Sequence, residues 1–447
     1  MPSLRQENAC KFLDTAVVAI GFALLSIVLI PVAQAQSFSV LHAFGQDAEG
    51  GGPYGGVVFD SAGNLFGNLA MGGYLRDCVN GNRCGVVYEL WPSSAGLWQE
   101  IPLYVFRNTT GAVPAGNLLL NSVGEILGAA GEGGGSPRCG FIEQGCGLIF
   151  ELSPEASGSY EESALWVFNG GTDGGVPYGS LIADVAGNLY GTTYQGGKLN
   201  KTCIEGCGIV FRLSPNGSGG WIETVLYAFT GREDGAYPTS SGLTMDEAGN
   251  LYGTTYQGGK ISAACTQGCG VVFELSPSSS GSWTETALYS FNGGPDGSFP
   301  IGGVTMDAAG NLFGTTSYGG SPNYGTVFKL TPESGAWKET LLHAFTGGSD
   351  GGFPYAGVTL DSRGNVYGTT ESGGNTKDCE GSDGCGVIFK FGRVDGVWKE
   401  VVLHAFTGSS DGGIPEAPLT LGPDGDLYGT AVVGGPFGGG TAFRLTP

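Results

Sequence analysis

The sequence predicts an all-β fold, a seven-bladed β-propeller of four-stranded blades whose ring is closed by the N-terminal strand. Three observations carry this. One turn-and-strand motif recurs seven times, each recurrence brings four strand signals, and the two ends of the chain hold complementary parts of one unit. The motif reads GNLFG at position 63, GEILG at 124, GNLYGTT at 187 and 249, GNLFGTT at 310, GNVYGTT at 364 and GDLYGT at 425. Successive steps are 61, 63, 62, 61, 54 and 61 residues. A β-solenoid is the competing architecture, but a unit of this length is long for one coil.

Within a unit the first strand signal is an alternating run such as GLTMD (242–246). The second is NLYGTTYQ, the third GVVFELSP (270–277) and the fourth WTETALYSF (283–291). Turn-forming residues separate them: DEAGN, then a glycine-rich cysteine loop, then SPSSSGS. No segment shows a helical period. The last unit stops after its third strand, GTAFRLTP, whereas QSFSVLHAF (36–44) aligns with fourth strands such as ETLLHAF (339–345). The front of the chain therefore completes the last blade, which leaves neither terminal sheet with a bare edge.

Composition agrees. Glycine accounts for 86 of 447 residues without a collagen triplet, aromatics make up 11%, and charged residues only 13%. This suits many short strands and tight turns and leaves little room for exposed charged helix. The net charge is −22, with no cationic cluster, which argues against nucleic acid and anionic lipid as partners.

Residues 1–35 read as a secretory signal peptide: Arg5 and Lys11, an apolar run (16–32), then Ala33-Gln34-Ala35. An uncleaved anchor is the alternative. Cleavage would leave residues 36–447 as one propeller domain with no membrane span, secreted, periplasmic or extracellular. Cys10 would leave with the signal. Ten cysteines remain as local pairs: Cys78/Cys84, Cys139/Cys146, Cys203/Cys207, Cys265/Cys269 and Cys379/Cys385. Zinc would need about four ligands at regular spacing, so disulfides, which suit an exported chain, are expected. They would stiffen protruding loops more than hold the core. Repeat five lacks the pair and is the short unit.

Several recurring residues have structural readings. The acid of D-x-x-G-N (Asp60, Asp184, Asp246, Asp307, Asp361) is expected to stabilise its turn, with calcium ligation as the functional alternative. Gly191, Gly253 and Gly314 are expected to admit a large side chain from the next blade. The tryptophans opening the fourth strands (Trp98, Trp221, Trp283, Trp337, Trp398) are expected at outer packing contacts. His42, His343 and His404 share one slot with Tyr104, Trp166, Tyr227 and Tyr289, which reads as amphipathic packing and argues against a catalytic triad. No phosphate loop or metal cluster stands out.

A candidate site lies on the face shared by the cysteine loops and the crossovers between blades. The crossovers carry F-x-G-x-x-D-G-x-x-P, with Asp173, Asp234, Asp296, Asp350 and Asp411; Tyr194, Tyr256 and Tyr318 enter the loops beside them. These eight are the candidate ligand-binding residues, and no catalytic residue is assigned. The acids are alternatively Asx-type turn formers. No cofactor is expected; Ca2+ stays open without a supporting ligand pattern.

The chain resembles the choice-of-anchor tandem-repeat proteins known as GloVer (Gloeo_Verruco) repeats. DEAGNLYGTTYQGG, GCGVVFELSP, WTETALYSF and FNGGPDG carry the likeness, which spans all seven units. Its turn is also similar to that of NHL and gluconolactonase-type propellers. The resemblance implies an exported bacterial protein of unassigned biochemical role. The expected function is a monomeric, non-enzymatic binding module for an extracellular glycan or envelope protein. A carbohydrate-active hydrolase or lyase with acids at the central channel is one alternative, and a structural envelope component is the other.

Overall fold

The structure is a computed structural model that describes residues 36–45, 50–73, 84–93, 98–135, 139, 145–239, 241–374, 379 and 383–447. The expected signal peptide, with Cys10, and Cys78 lie outside these residues. Seven antiparallel sheets form a ring, and no helix occurs among the described residues. Blade 1 runs through Val58–Phe59, Leu65–Leu69, Val86–Pro92 and Trp98–Val105. Blades 2 to 6 repeat that order, and blade 7 contains Thr420–Leu421, Leu427–Ala431 and Thr441–Thr446. Its fourth strand is Ser37–Ala43, which pairs antiparallel with Thr441–Thr446 from Ser37↔Thr446 to Ala43↔Thr441. The ring closure expected from the chain ends is thus present.

The repeated motif builds the wheel in three ways. The Asp of D-x-x-G-N accepts backbone N–H bonds from inside its own hairpin, as Asp246 does from Ala248 and Asn250 at 2.9 and 2.8 Å. The second strand is then fully buried, and its glycine clears space for an aromatic ring. A Cβ at Gly253 would stand 2.6 Å from Phe273 Cζ, and Phe273 is its register partner on the third strand of the same blade. The large side chain therefore comes from the same sheet, not from the next blade as the sequence suggested. Period-two alternation places cross-strand neighbours on one face of the sheet, which brings this ring over the glycine. Phe211, Phe328, Phe389 and Phe443 repeat the arrangement, and Tyr88 takes the place in blade 1.

The first threonine of the motif, or the residue in its slot, bonds to the following blade. Thr315, Thr430 and Thr369 donate to the carbonyls of Ala356, Gly55 and Ala417 at 2.8, 3.0 and 3.4 Å, and Asn68 donates to Gly116 at 2.8 Å. Tryptophans act as expected at the outer seams: Trp283, Trp337 and Trp398 meet Tyr190, Tyr252 and Phe313 of the preceding blades edge-on at 6.2–6.5 Å.

Four disulfides join Cys139–Cys146, Cys203–Cys207, Cys265–Cys269 and Cys379–Cys385, with Cα–Cα distances of 4.8, 5.2, 5.2 and 5.6 Å. Cys84 is also disulfide-bonded. Contrary to the expectation from their place between strands, three of these bridges lie in the core. Cys139, Cys146, Cys203, Cys207, Cys265 and Cys269 are at most 3% exposed and belong to the apolar clusters between blades. Three bridges lie beneath crossover glycines, Gly170, Gly231 and Gly293, and a Cβ on Gly231, at φ +74°, would come within 2.9 Å of both sulfurs. In blade 5, which lacks the cysteines, the Tyr324 ring occupies this place beneath Gly347. Deletion of the pair leaves a gap that an aromatic ring fills. Buried disulfides suit an oxidising compartment.

Candidate functional site: an axial cavity

In six of the seven blades the chain enters through a strained step. The residue before the recurring proline has positive φ: Val113 54°, Val176 60°, Tyr237 58°, Phe299 56°, Phe353 52° and Ile414 58°. β-branched and aromatic residues rarely adopt this conformation, which costs on the order of 1 kcal/mol or more unless surrounding contacts impose it. The imposing contact recurs. Val176, Tyr237, Phe299 and Ile414 donate their N–H groups to the carbonyls of Cys146, Cys207, Cys269 and Cys385 in the preceding blade at 2.7–2.8 Å. The chain is thereby turned inward, and in every blade but the fourth the residue after the proline meets the axis.

These inward residues line a cavity of ≈ 310 Å³ to which all seven blades contribute. Tyr54, Ala115, Tyr178, Ile301, Tyr355 and Glu416 all follow their blade's proline, and Asn117, Ser180 and Ser241 lie just beyond. Burial and then the nearby Glu371 push the Glu416 carboxyl up to about 7. Burial raises Tyr178 to about 12, with a further contribution from Glu132. Glu371 and Glu132 are themselves raised by burial. None of the described lining residues is Lys or Arg. The chamber thus offers tyrosine rings, hydroxyls, an amide and a carboxyl, which fit uncharged polyols or cations and disfavour anions.

The two halves of the sequence-derived site separate. Tyr194, Tyr256 and Tyr318 each pack against the strained residue of the next blade: Tyr237 at 4.8 Å, Phe299 at 4.9 Å and Phe353 at 5.1 Å between ring centroids. The five crossover aspartates lie instead at the ends of the fourth strands and bond within their own turns. Asp173 and Asp296 accept from Asn169 and Asn292, while Asp234, Asp350 and Asp411 accept from Thr230, Thr346 and Thr407. Four also bond the slot shared by histidine and tyrosine. Tyr227, Tyr289, His343 and His404 each reach their Asp at 3.1 Å. That slot is therefore a polar anchor as well as a packing position.

Facing these aspartates are glutamates that the sequence reading missed: Glu223, Glu285, Glu339 and Glu400, from the fourth strands of the following blades. One carboxylate oxygen of each is buried without a hydrogen-bond partner among the described residues. Burial, and then the Asp across the seam, pushes Glu223, Glu285 and Glu400 up to about 7. Their signal was available as the glutamate two positions after each opening tryptophan. The axial residues had a different signal, since the position after each proline is where otherwise similar repeats diverge.

The Gloeobacter/Verrucomicrobia repeat matches residues 28–202, 138–379 and 267–447. The chain belongs to this repeat family. No curated protein matches it. Among solved structures, a fungal alcohol oxidase of the AA5 family in complex with copper has a TM-score of 0.50 at 13% identity, covering 92% of this chain and 76% of that one. A protein from Lactobacillus plantarum reaches 0.47 at 12% identity, over 78% and 83% of the two chains. A putative oxidoreductase (glucose dehydrogenase) from a Thermus species reaches 0.34 at 13%, over 92% and 100%. At these identities the likeness is one of fold alone. In this Gloeobacter/Verrucomicrobia repeat protein, the repeat builds the scaffold and its exceptions line the cavity.

Proposed function

We propose that this protein is an exported, non-enzymatic binding module that holds an uncharged saccharide unit of an extracellular or envelope glycan in its axial cavity. The observation that carries this reading is the lining itself. Seven near-equivalent blades place Tyr54, Ala115, Tyr178, Ile301, Tyr355 and Glu416 around one chamber, and these are positions where the repeats differ. Its volume is at the lower end of small-molecule sites, the size of one or two sugar rings. Tyrosine faces suit sugar C–H surfaces, while Glu416, Asn117 and Ser180 supply directed polar groups. The lack of cationic residues among the described lining, and the net charge of −22, disfavour acidic polymers.

A glycan array with the purified protein tests this. Neutral glycans should be retained, and Tyr178→Ala should weaken the best hit about tenfold or more. Failure to retain any neutral glycan, or unchanged retention by Tyr178→Ala, would refute the reading. One observation favours a second reading, a glycan hydrolase: Glu416 is held near 7 in the chamber beside the acid Glu371, a pairing that could separate acid and base roles. Cleavage of a retained glycan that is abolished by Glu416→Gln would establish that alternative.

A further inference from the structure

Among the described residues, one seam differs from its neighbours in its donor chemistry. Between blades 3 and 4, and between 4 and 5, an Asp and a Glu face a tyrosine. Between blades 5 and 6 they face an imidazole. His343 Nε2 lies 3.1 Å from Asp350 Oδ2 and 3.5 Å from Glu400 Oε2. One ligand atom from each of the three residues lies within 4.8 Å of the others. No metal cluster was visible in the sequence, because the ligands are 7 and 50 residues apart and come from two blades.

We propose that His343, Asp350 and Glu400 bind a divalent transition-metal ion that clasps blade 5 to blade 6. Zinc bonds of roughly 2.0–2.2 Å in tetrahedral geometry hold ligand atoms roughly 3.3–3.5 Å apart, close to the two distances from His343 Nε2, while the carboxylate oxygens need only stay within the 4.8 Å that bounds the three atoms. Glu400 Oε1 is buried without a hydrogen-bond partner among the described residues, as are the matching oxygens of Glu223, Glu285 and Glu339, but here an imidazole stands beside the carboxylate, and a cation held by both would compensate its charge. The ligands are also oriented in advance. Thr346 N–H donates to Asp350 Oδ2 at 2.9 Å, and its hydroxyl donates to Asp350 Oδ1. The His343 ring packs between Phe345 and Phe391, at 4.9 and 5.3 Å. Such supporting contacts are typical of metal ligands. One nitrogen and two carboxylates favour an ion such as Zn2+ over Ca2+, which prefers an all-oxygen shell.

The other histidine seams are built differently. His404 bonds Asp411, but the place of the glutamate is taken by Phe38, which stacks on the imidazole at 3.7 Å. His42 meets Glu100 at 3.0 Å, and its crossover lies partly outside the described residues.

The neighbouring blades supply a substitution already compatible with the fold. His343→Tyr gives this seam the residue type found at Tyr227 and Tyr289. Titration of the untagged, EDTA-treated full-length protein with ZnCl2 should show His343→Tyr losing one equivalent that the wild type binds. Glu400→Gln should weaken that equivalent about 10- to 100-fold, and Tyr289→His should add one. Zn2+ should raise the Tm of the wild type more than that of His343→Tyr, and Ca2+ should do neither. The proposal is overturned if the wild type binds no Zn2+, or if His343→Tyr and Glu400→Gln both keep the wild-type stoichiometry and affinity. Glu400→Gln decides the matter if His343→Tyr does not fold.

Discussion

Tyr88 occupies the place that phenylalanine holds in the six other blades, opposite the motif glycine. It is fully buried, and its hydroxyl has no partner among the described residues. Burial drives its ionisation upward, out of the usual range, so the group is a neutral phenol that has lost its water. An unsatisfied buried hydroxyl costs about 1–3 kcal/mol. Tyr88→Phe is expected to stabilise the protein by about 1 kcal/mol, as read by chemical denaturation. A destabilised variant would mean that the hydroxyl has a partner in solution. Polar residues elsewhere show how placement decides role. Asp246 and Asp350 are the same amino acid, yet one closes a hairpin and the other faces a histidine and a glutamate across a seam.

The seams and crossovers are the elements whose chemistry exceeds packing. Glu223 and Glu285 rise from 4.5 to about 7 on folding, first through burial and then through Asp173 and Asp234. The sign follows from the direction. Below pH 4.5 both states carry the proton and the shift has no effect. Between 4.5 and 7 the unfolded chain ionises while the folded seam resists, so stability falls as pH rises through this window. Partial exposure of both groups tempers the effect. Tm should therefore be lower at about pH 8 than at about pH 5.5, and the double variant Glu223→Gln/Glu285→Gln should flatten the slope mainly by raising Tm at the higher pH. An unchanged slope would show that these carboxyls are solvated. Much of each element was legible beforehand. Strand order, hairpins and outer tryptophans follow from alternation and turn chemistry, which act over a few residues. The glutamate–aspartate seams were not legible, because their partners are 50 residues apart, as Asp173 and Glu223 are, and meet only when blades pack.

For the whole molecule, stability depends on closing the ring. Phe44 packs with Leu65 and Tyr88 of blade 1, while Phe38 stacks on His404 of blade 6, so the closing strand contacts blades on both sides. Thr420 and Thr430 of blade 7 donate to the carbonyls of Val57 and Gly55 of blade 1. Deleting residues 36–44 should leave the edge of Thr441–Thr446 bare and lower Tm by roughly 10 °C or more, or cause aggregation. Wild-type melting of the deleted protein would show that the ring does not need this strand.

By itself, the sequence determined the number of blades, their four strands, the turn chemistry, four of the five expected cysteine pairs and the origin of the closing strand. These follow from local periodicity and from one alignment between the two ends. Only the tertiary structure decided that three of the disulfides lie in the core, that the crossover aspartates face glutamates and a histidine, and that the residue after the proline meets the axis in every blade but the fourth. The reason is geometric. A repeat specifies contacts within a blade and with its neighbour, whereas a central chamber exists only once seven such contacts have closed a circle.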